Sequence, residues 1–248
     1  MPQRPQQTYY VVLPAQDAEK IGSLRPISRL MDTDEDGARR VLEIPTFKVV
    51  RRFAKRGNAE GFRNQLHALG VEGMVVSDTQ IAGFLFLWAK TANKGEGGMA
   101  VVDFGGQPLF CPFDDLICVC VGPVLRKDGQ QTLLMDLHRK SAPITPRIDT
   151  ALFDFPTMLK KQDADAYTLV EAIKERAPDI FVDLDYVDVG NYMELMLSRG
   201  FATFPGQFGP PEGATSSPYE EKSLRMFDCY SFLTRERLCE SPSDSIKG

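Results

Sequence analysis

The chain has 248 residues, of which 43% are hydrophobic and 25% charged. That balance excludes wholesale disorder, collagen and a coiled-coil rod, and the length suffices for one large domain or two small ones without disulfides or metals. Thirty-four Asp and Glu stand against 29 Lys and Arg, for a net charge of −5, which argues against a general duplex-DNA binder.

The five cysteines are Cys111, Cys118, Cys120, Cys229 and Cys239. Their number is odd and none forms C-x-x-C, so a stapled secreted scaffold is not expected. No apolar leader follows the N-terminal Met-Pro-Gln-Arg-Pro-Gln-Gln. The most apolar run, 82–89, is far short of the ~20 residues that span a bilayer. The expectation is a cytoplasmic protein with no membrane span.

Residues 8–13 are β-branched and aromatic and stop at Pro14, which predicts a strand. A short helical stretch follows to about Met31. Thr33 is the expected N-cap of a second helix, with Asp36 three residues on and the acids Asp34, Glu35 and Asp36 at its positive end. Pro45 stops it. A strand is expected over 47–53. Asn58 is then read as the cap of a helix with Ala59, Phe62, Leu66 and Leu69 on one face, closed by Gly70. A third strand covers 73–77. The order β-α-α-β-α-β predicts a small α/β layer over 8–78, with helices on one face of the sheet.

Several residues of this segment resemble the C-terminal domain of the bacterial ribosomal stalk protein. They are Tyr10-Val-Val-Leu13, Gly37-Ala-Arg-Arg-Val-Leu-Glu43 followed by Pro45, Lys48-Val-Val50, Ala59-Glu60, Gln65-Leu66 and Gly70-Val71. The resemblance covers about 70 residues and implies that α/β fold. It also implies a surface on the second helix that receives partner proteins, with Arg39 at one of its basic positions.

From residue 82 the pattern changes to consecutive short strands, near 83–89, 99–104, 108–111, 116–121, 132–137 and 144–148. A helix capped by Asp163 or Asp165 follows, with Ala166, Leu169, Val170 and Ile173 inward. The expectation for 82–178 is a small barrel or sandwich closed by a helix, similar in topology to pleckstrin-homology-like proteins. Residues 179–248 read as a C-terminal extension, with a helix at 191–199 and a Pro/Gly/Ser-rich loop at 201–218. A stretch at 224–238 should dock as helix or strand, and a tail closes the chain. The fold class expected for the whole chain is α+β.

Four motifs carry chemistry on paper. Asp32-Thr-Asp34-Glu-Asp36-Gly37, with Glu43 at the twelfth position, fits the calcium-loop expression D-x-[DN]-x-[DN]-G-x5-E. Arg39 at the eighth position, Pro45 just beyond and the lack of a second loop favour a helix N-terminus instead. Cys118 and Cys120 share a strand face, with Cys111 expected near. Only His67 and His138 are available as histidine ligands, so buried small residues are favoured over zinc. Gly95-Glu-Gly97-Gly98-Met99-Ala100 matches G-x-G-x-x-A but precedes a strand, not a helix, so a dinucleotide site is not expected. Asp183, Asp185 and Asp188 form an acidic run. The alternation with Ile180, Val182 and Leu184 favours wet carboxylates over a metal-dependent active site.

Lys48, Arg51, Arg52, Lys55, Arg56 and Arg63 face only Glu60 between residues 48 and 66. Arg51, Arg52, Lys55 and Arg56, with Arg39, are the partner-binding candidates, and an acidic protein surface is a better match than nucleic acid. No cofactor is expected. The sequence points to a non-catalytic cytoplasmic binding or adaptor protein. The alternatives are a metal-dependent enzyme built on the three aspartates and an RNA-associated protein built on the basic run.

Overall fold

The computed structural model describes residues 7–44, 46–160, 162, 164–184, 186 and 218–240. The fold is α+β, with two sheets in two compact units that divide at Ala82/Gly83. No helix among the described residues is long and apolar enough to cross a membrane.

The first unit runs β1 (Tyr9–Leu13), a 3-10 turn at Ala18–Lys20, α1 (Leu24–Leu30), α2 (Glu35–Leu42), β2 (Lys48–Phe53), α3 (Arg56–His67), β3 (Met74–Ser77) and α4 (Asp78–Gly83). The sheet order is β2-β1-β3, antiparallel throughout. One face sets Val11, Leu13 and Val75 against Ile27, Ala38, Leu42, Ala59, Phe62 and Leu66 of the helices. The other face carries Tyr10, Val12, Val49, Met74 and Val76, which are also buried. Both faces are therefore apolar, because Tyr-Tyr-Val-Val-Leu and Met-Val-Val do not alternate.

Two helix starts differ from expectation. Asp34, not Thr33, is the N-cap of α2, its side chain accepting from Gly37 N at 2.6 Å. Helix α3 begins at Arg56 after Lys55, one turn before Asn58, and uses no side-chain cap. Gly70 has φ +78°, and Val71 N returns to Leu66 O, which closes α3 through the left-handed residue expected there.

The second unit contains β4 (Leu85–Lys94), β5 (Gly98–Asp103), β6 (Pro108–Pro112), β7 (Leu116–Leu125), β8 (Gln131–Arg139) and β9 (Ile144–Asp149). They are followed by α5 (Phe155–Leu159), α6 (Ala166–Lys174), β10 (Phe181–Asp183) and α7 (Glu221–Glu240). In place of the expected barrel or sandwich there is one open sheet, ordered β10-β7-β8-β9-β4-β5-β6. Among the described residues its edge strands β10 and β6 do not pair, and β9 pairs β4 in parallel, which returns the chain to the middle of the sheet. The six expected strands are β4 to β9. Asp165 caps α6 and makes a reciprocal pair with Thr168.

The sheet has a helix on each face. Val119, Val121, Met135, Leu137 and Ile148 face Ala166, Leu169, Val170 and Ile173 of α6. On the other face Trp88, Val124 and Leu134 meet Tyr219 and Leu224 and Phe227 of α7. Gly122 permits that second contact: a Cβ there would stand 2.5 Å from Tyr186 Cδ1 and 2.7 Å from Phe227 Cε2. The segment after residue 178 thus completes the sheet and its core. The helix and loop expected at 191–199 and 201–217, and the tail from 241, lie outside the described residues.

Candidate functional site

Period-2 alternation on β8 and β9 puts Thr132, Leu134, Asp136 and His138, and Thr145, Arg147 and Asp149, on the face under α7. Except for Leu134 these are polar, and all are buried. Helical spacing brings Asp228 and Ser231 of α7 down onto them.

Arg147 is at the centre. Its Nε and Nη2 donate to the two carboxylate oxygens of Asp136, each at 2.7 Å, and Nη1 donates to Asp228. The guanidinium lies over the Phe86 ring, 3.6 Å from its centroid. Burial disfavours its charge, but Asp136 and Asp228 outweigh that and hold it above the usual arginine range. Ser231 Oγ donates to Asp136 and stands 2.6 Å from His138 Nε2, while Thr145 Oγ1 is 3.2 Å from His138 Nδ1. Burial, then Arg235 and Arg147, push the His138 pKa well down, so its ring is neutral.

A second buried carboxylate, Asp149, accepts from Thr132 and Tyr219 and pairs with Arg126 at 3.6 Å. Burial and then Asp149 push the Tyr219 phenol up. Asp183, opposite Cys120 on β10, accepts from Tyr230 of α7 at 2.7 Å, and burial with Asp183 raises that phenol likewise.

Ser231 and His138 are at the distance of a nucleophile and its base, but they are not such a pair. Asp136 binds the serine and the arginine rather than the far nitrogen of the imidazole, and all three side chains are fully buried. A catalytic triad needs its acid on the histidine and a path for substrate. This layer instead fixes how α7 lies on the sheet.

The sequence candidates fare differently. The calcium loop is not formed: α2 occupies 35–42, so Glu43 stands a helix length from Asp32. Asp34 caps, Asp32 pairs with Arg51 at 3.1 Å, and Glu43 pairs with Arg39 at 3.6 Å. Asp36 lies in the first turn of α2. Ile180 and Val182 pack as expected, but Asp183 faces inward under Tyr230 and Leu184 is exposed, because β10 pairs with β7 and both faces of the sheet are covered. Asp185 and Asp188 lie outside the described residues. Cys111 is on β6, at the far edge from Cys118 and Cys120. His138, however, is directly opposite Cys118.

The basic run does not form one patch. Lys48 is buried and donates to Leu42 O and Ile44 O. Arg51 donates to Leu30 O and lies over Phe62, and Arg56 binds Glu60 at 2.8 Å. Arg52 lies over Tyr10, and Arg51, Arg52, Lys55 and Arg56 are all exposed.

A concave site lies elsewhere, in the second unit. The β4–β5 turn gives Asn93, Lys94, Gly95 and Glu96, and the end of α5 gives Met158, Leu159 and Lys160. Arg176, just past α6, completes a groove of about 530 Å³. Its floor is the buried Met158 and half-buried Leu159, and its rim carries three exposed cations against Glu96. Lys160 sits at φ +53°, a left-handed conformation costly for a side chain of this kind. Sequence reading missed this groove because its cations are 16 to 82 residues apart. The chain matches no known protein family, no curated protein and no solved structure.

Proposed function

We propose that this protein is a non-catalytic binding protein that takes an acidic segment of a partner protein in the groove rimmed by Lys94, Lys160 and Arg176. The observation that carries this reading is the convergence of three cations, from three separate segments, on one concavity with an apolar floor. An extended acidic peptide matches it: carboxylates meet the rim while an apolar side chain rests on Met158 and Leu159. The left-handed backbone at Lys160 supports it too, since such strain concentrates where a side chain must be held in place. Two features disfavour chemistry: the layer of Asp136, His138 and Ser231 is buried under α7, and the groove rim offers cations and one glutamate.

The test is fluorescence anisotropy with a labelled oligoglutamate peptide ending in leucine. Binding should weaken steeply with salt, because exposed charges are screened over about 10 Å at 0.1 M. Reversing Lys94, Lys160 and Arg176 to Glu should abolish it. Reversing Arg52, Lys55 and Arg56 should leave it intact. The opposite pattern moves the interface to the first unit, and displacement of the peptide by random single-stranded RNA would replace the protein partner by nucleic acid.

A further inference from the structure

Three metal-ligating side chains meet beneath α7: two thiols outside the arginine cluster, and His138, which joins that cluster through Ser231. The thiols of Cys118 and Cys120 and an imidazole nitrogen of His138 all lie within 4.8 Å of one another, and all three residues are fully buried. The fold builds this directly. Cys118 and Cys120 are two apart on β7 and so share a face. His138 is the cross-strand partner of Cys118 on β8, and Asp183 is the partner of Cys120 on β10.

We propose that Cys118, Cys120 and His138 bind a zinc ion, with the Asp183 carboxylate turning in as the fourth ligand. A tetrahedral ion at ordinary Zn–S and Zn–N distances of about 2.0–2.3 Å needs ligand atoms roughly 3.3–3.8 Å apart, inside the 4.8 Å that bounds these three. Two thiolates and a nitrogen select a thiophilic cation over calcium or magnesium. On binding, each thiol releases its proton to solvent and the imidazole gives a lone pair. The ring nitrogen left over keeps its hydroxyl partner, Ser231 or Thr145, which orients the ligand as outer partners of zinc histidines do. Tyr230 plays the same part for Asp183.

Charge permits a cation here, because zinc replaces two thiol protons and leaves the net charge of the site unchanged. The buried carboxylates Asp136, Asp149, Asp183 and Asp228 lie on this side of the sheet with Arg147, the peripheral Arg126, and Arg235 paired with Glu236. Zinc with two thiolates is neutral, and Asp183 keeps the negative charge it already carries. The neighbouring cysteines make the contrast: Cys111 sits in the apolar cluster of the opposite face, with no histidine near it among the described residues.

The experiment uses the full chain, reduced and freed of metal, in equilibrium dialysis against zinc and separately against cobalt(II). One ion per chain should bind, both thiols should become protected from alkylation, and the cobalt form should absorb in the thiolate charge-transfer region. Cys118→Ser with Cys120→Ser should lower zinc affinity at least 100-fold and remove that absorption, while Cys111→Ser should change neither. Asp183→Asn should weaken zinc about tenfold. No uptake by the wild-type chain, or uptake that survives the double serine change, overturns the proposal. If the double variant fails to fold, the wild-type cobalt spectrum decides, and a spectrum without thiolate absorption overturns it as well.

Discussion

Each unit buries one cation to near completion among the described residues, and the two are held in opposite ways. Lys48, at 5% exposure, gives its ammonium to two backbone carbonyls, Leu42 O at 2.7 Å and Ile44 O at 3.2 Å, with no carboxylate beside it. Arg147, at 0%, stands between Asp136 and Asp228. Burial alone lowers the Lys48 pKa to about 7, whereas the carboxylates keep Arg147 charged at any ordinary pH. The lesson is about what holds each unit. The first is an apolar sandwich of sheet and helices in which charge is peripheral, and its one buried amine is tolerated because it can neutralise. The second docks its longest helix through a charged layer whose members are useless apart. A buried ion cluster of this kind contributes register more than net stability.

The largest expected effect follows from that layer. Arg147→Met fills the space with an apolar chain but leaves Asp136 and Asp228 buried and unpaired. The loss should be about 3–5 kcal/mol in denaturant unfolding. Replacing all three together, Arg147→Met with Asp136→Leu and Asp228→Leu, should recover most of it, and slow hydrogen exchange in α7 should become heterogeneous as the helix loses its unique seat. A single Arg147→Met variant that unfolds within 1 kcal/mol of wild type (roughly a fifth of that expectation) would show that the layer is not doing what its geometry implies.

This contrast also marks where sequence reading stops. The strands β1 to β9 are legible because β-branched runs end at Pro and Gly turns, as at Pro14 and Gly105-Gly106, while β10 is not. The helix faces of α3 and α6 were legible from apolar spacing. The role of β8 was not. Thr132, Asp136 and His138 alternate with Leu133, Met135 and Leu137, which is the signature of a strand wet on one side. Their partners on α7 are about 95 residues further along the chain, and no local pattern announces a pairing at that range. Capping failed by similar logic at smaller scale: Thr33 and Asp34 are both good caps, and only the backbone at Asp34, extended before α2, decides between them. The sequence disfavours zinc through ligand count, spacing and the usual burial of free cysteine, because His138 joins Cys118 through strand register and not through a motif.

Lys48 gives the next prediction, of intermediate size. Its folded pKa of about 7 lies below the ordinary value of about 10.4 that it has when unfolded. Between these values the unfolded chain binds more protons than the folded one, so stability rises with pH there. The slope approaches 1.4 kcal/mol per pH unit, and from pH 7 to pH 9 the gain should be about 2 kcal/mol. Lys48→Met should remove that slope and raise stability most at pH 7. Equal pH slopes for the variant and the wild type would mean that the amine stays charged on its two carbonyls, and the contrast with Arg147 would fall.

The smallest effect belongs to a cation of the first unit that is not buried. Arg51 pairs with Asp32 at 3.1 Å, with side-chain exposures of 44% and 75%. Exposed pairs of this kind contribute about 0.2–1 kcal/mol. Arg51→Ala by itself is a poor measure, because the guanidinium also lies over Phe62 at 5.2 Å and donates to Leu30 O, so truncation loses packing as well as charge. A double-mutant cycle with Asp32 separates the two. Asp32 has φ 55°, a left-handed conformation that Asn tolerates and Ala does not, so the partner change is Asp32→Asn. The coupling between Arg51→Ala and Asp32→Asn should be below about 1 kcal/mol and should vanish at high salt, while Arg51→Ala keeps a salt-independent loss from the ring contact. A coupling as large as that of the Arg147 layer would erase the distinction between the two units, since it would make a half-exposed pair as consequential as a fully buried one.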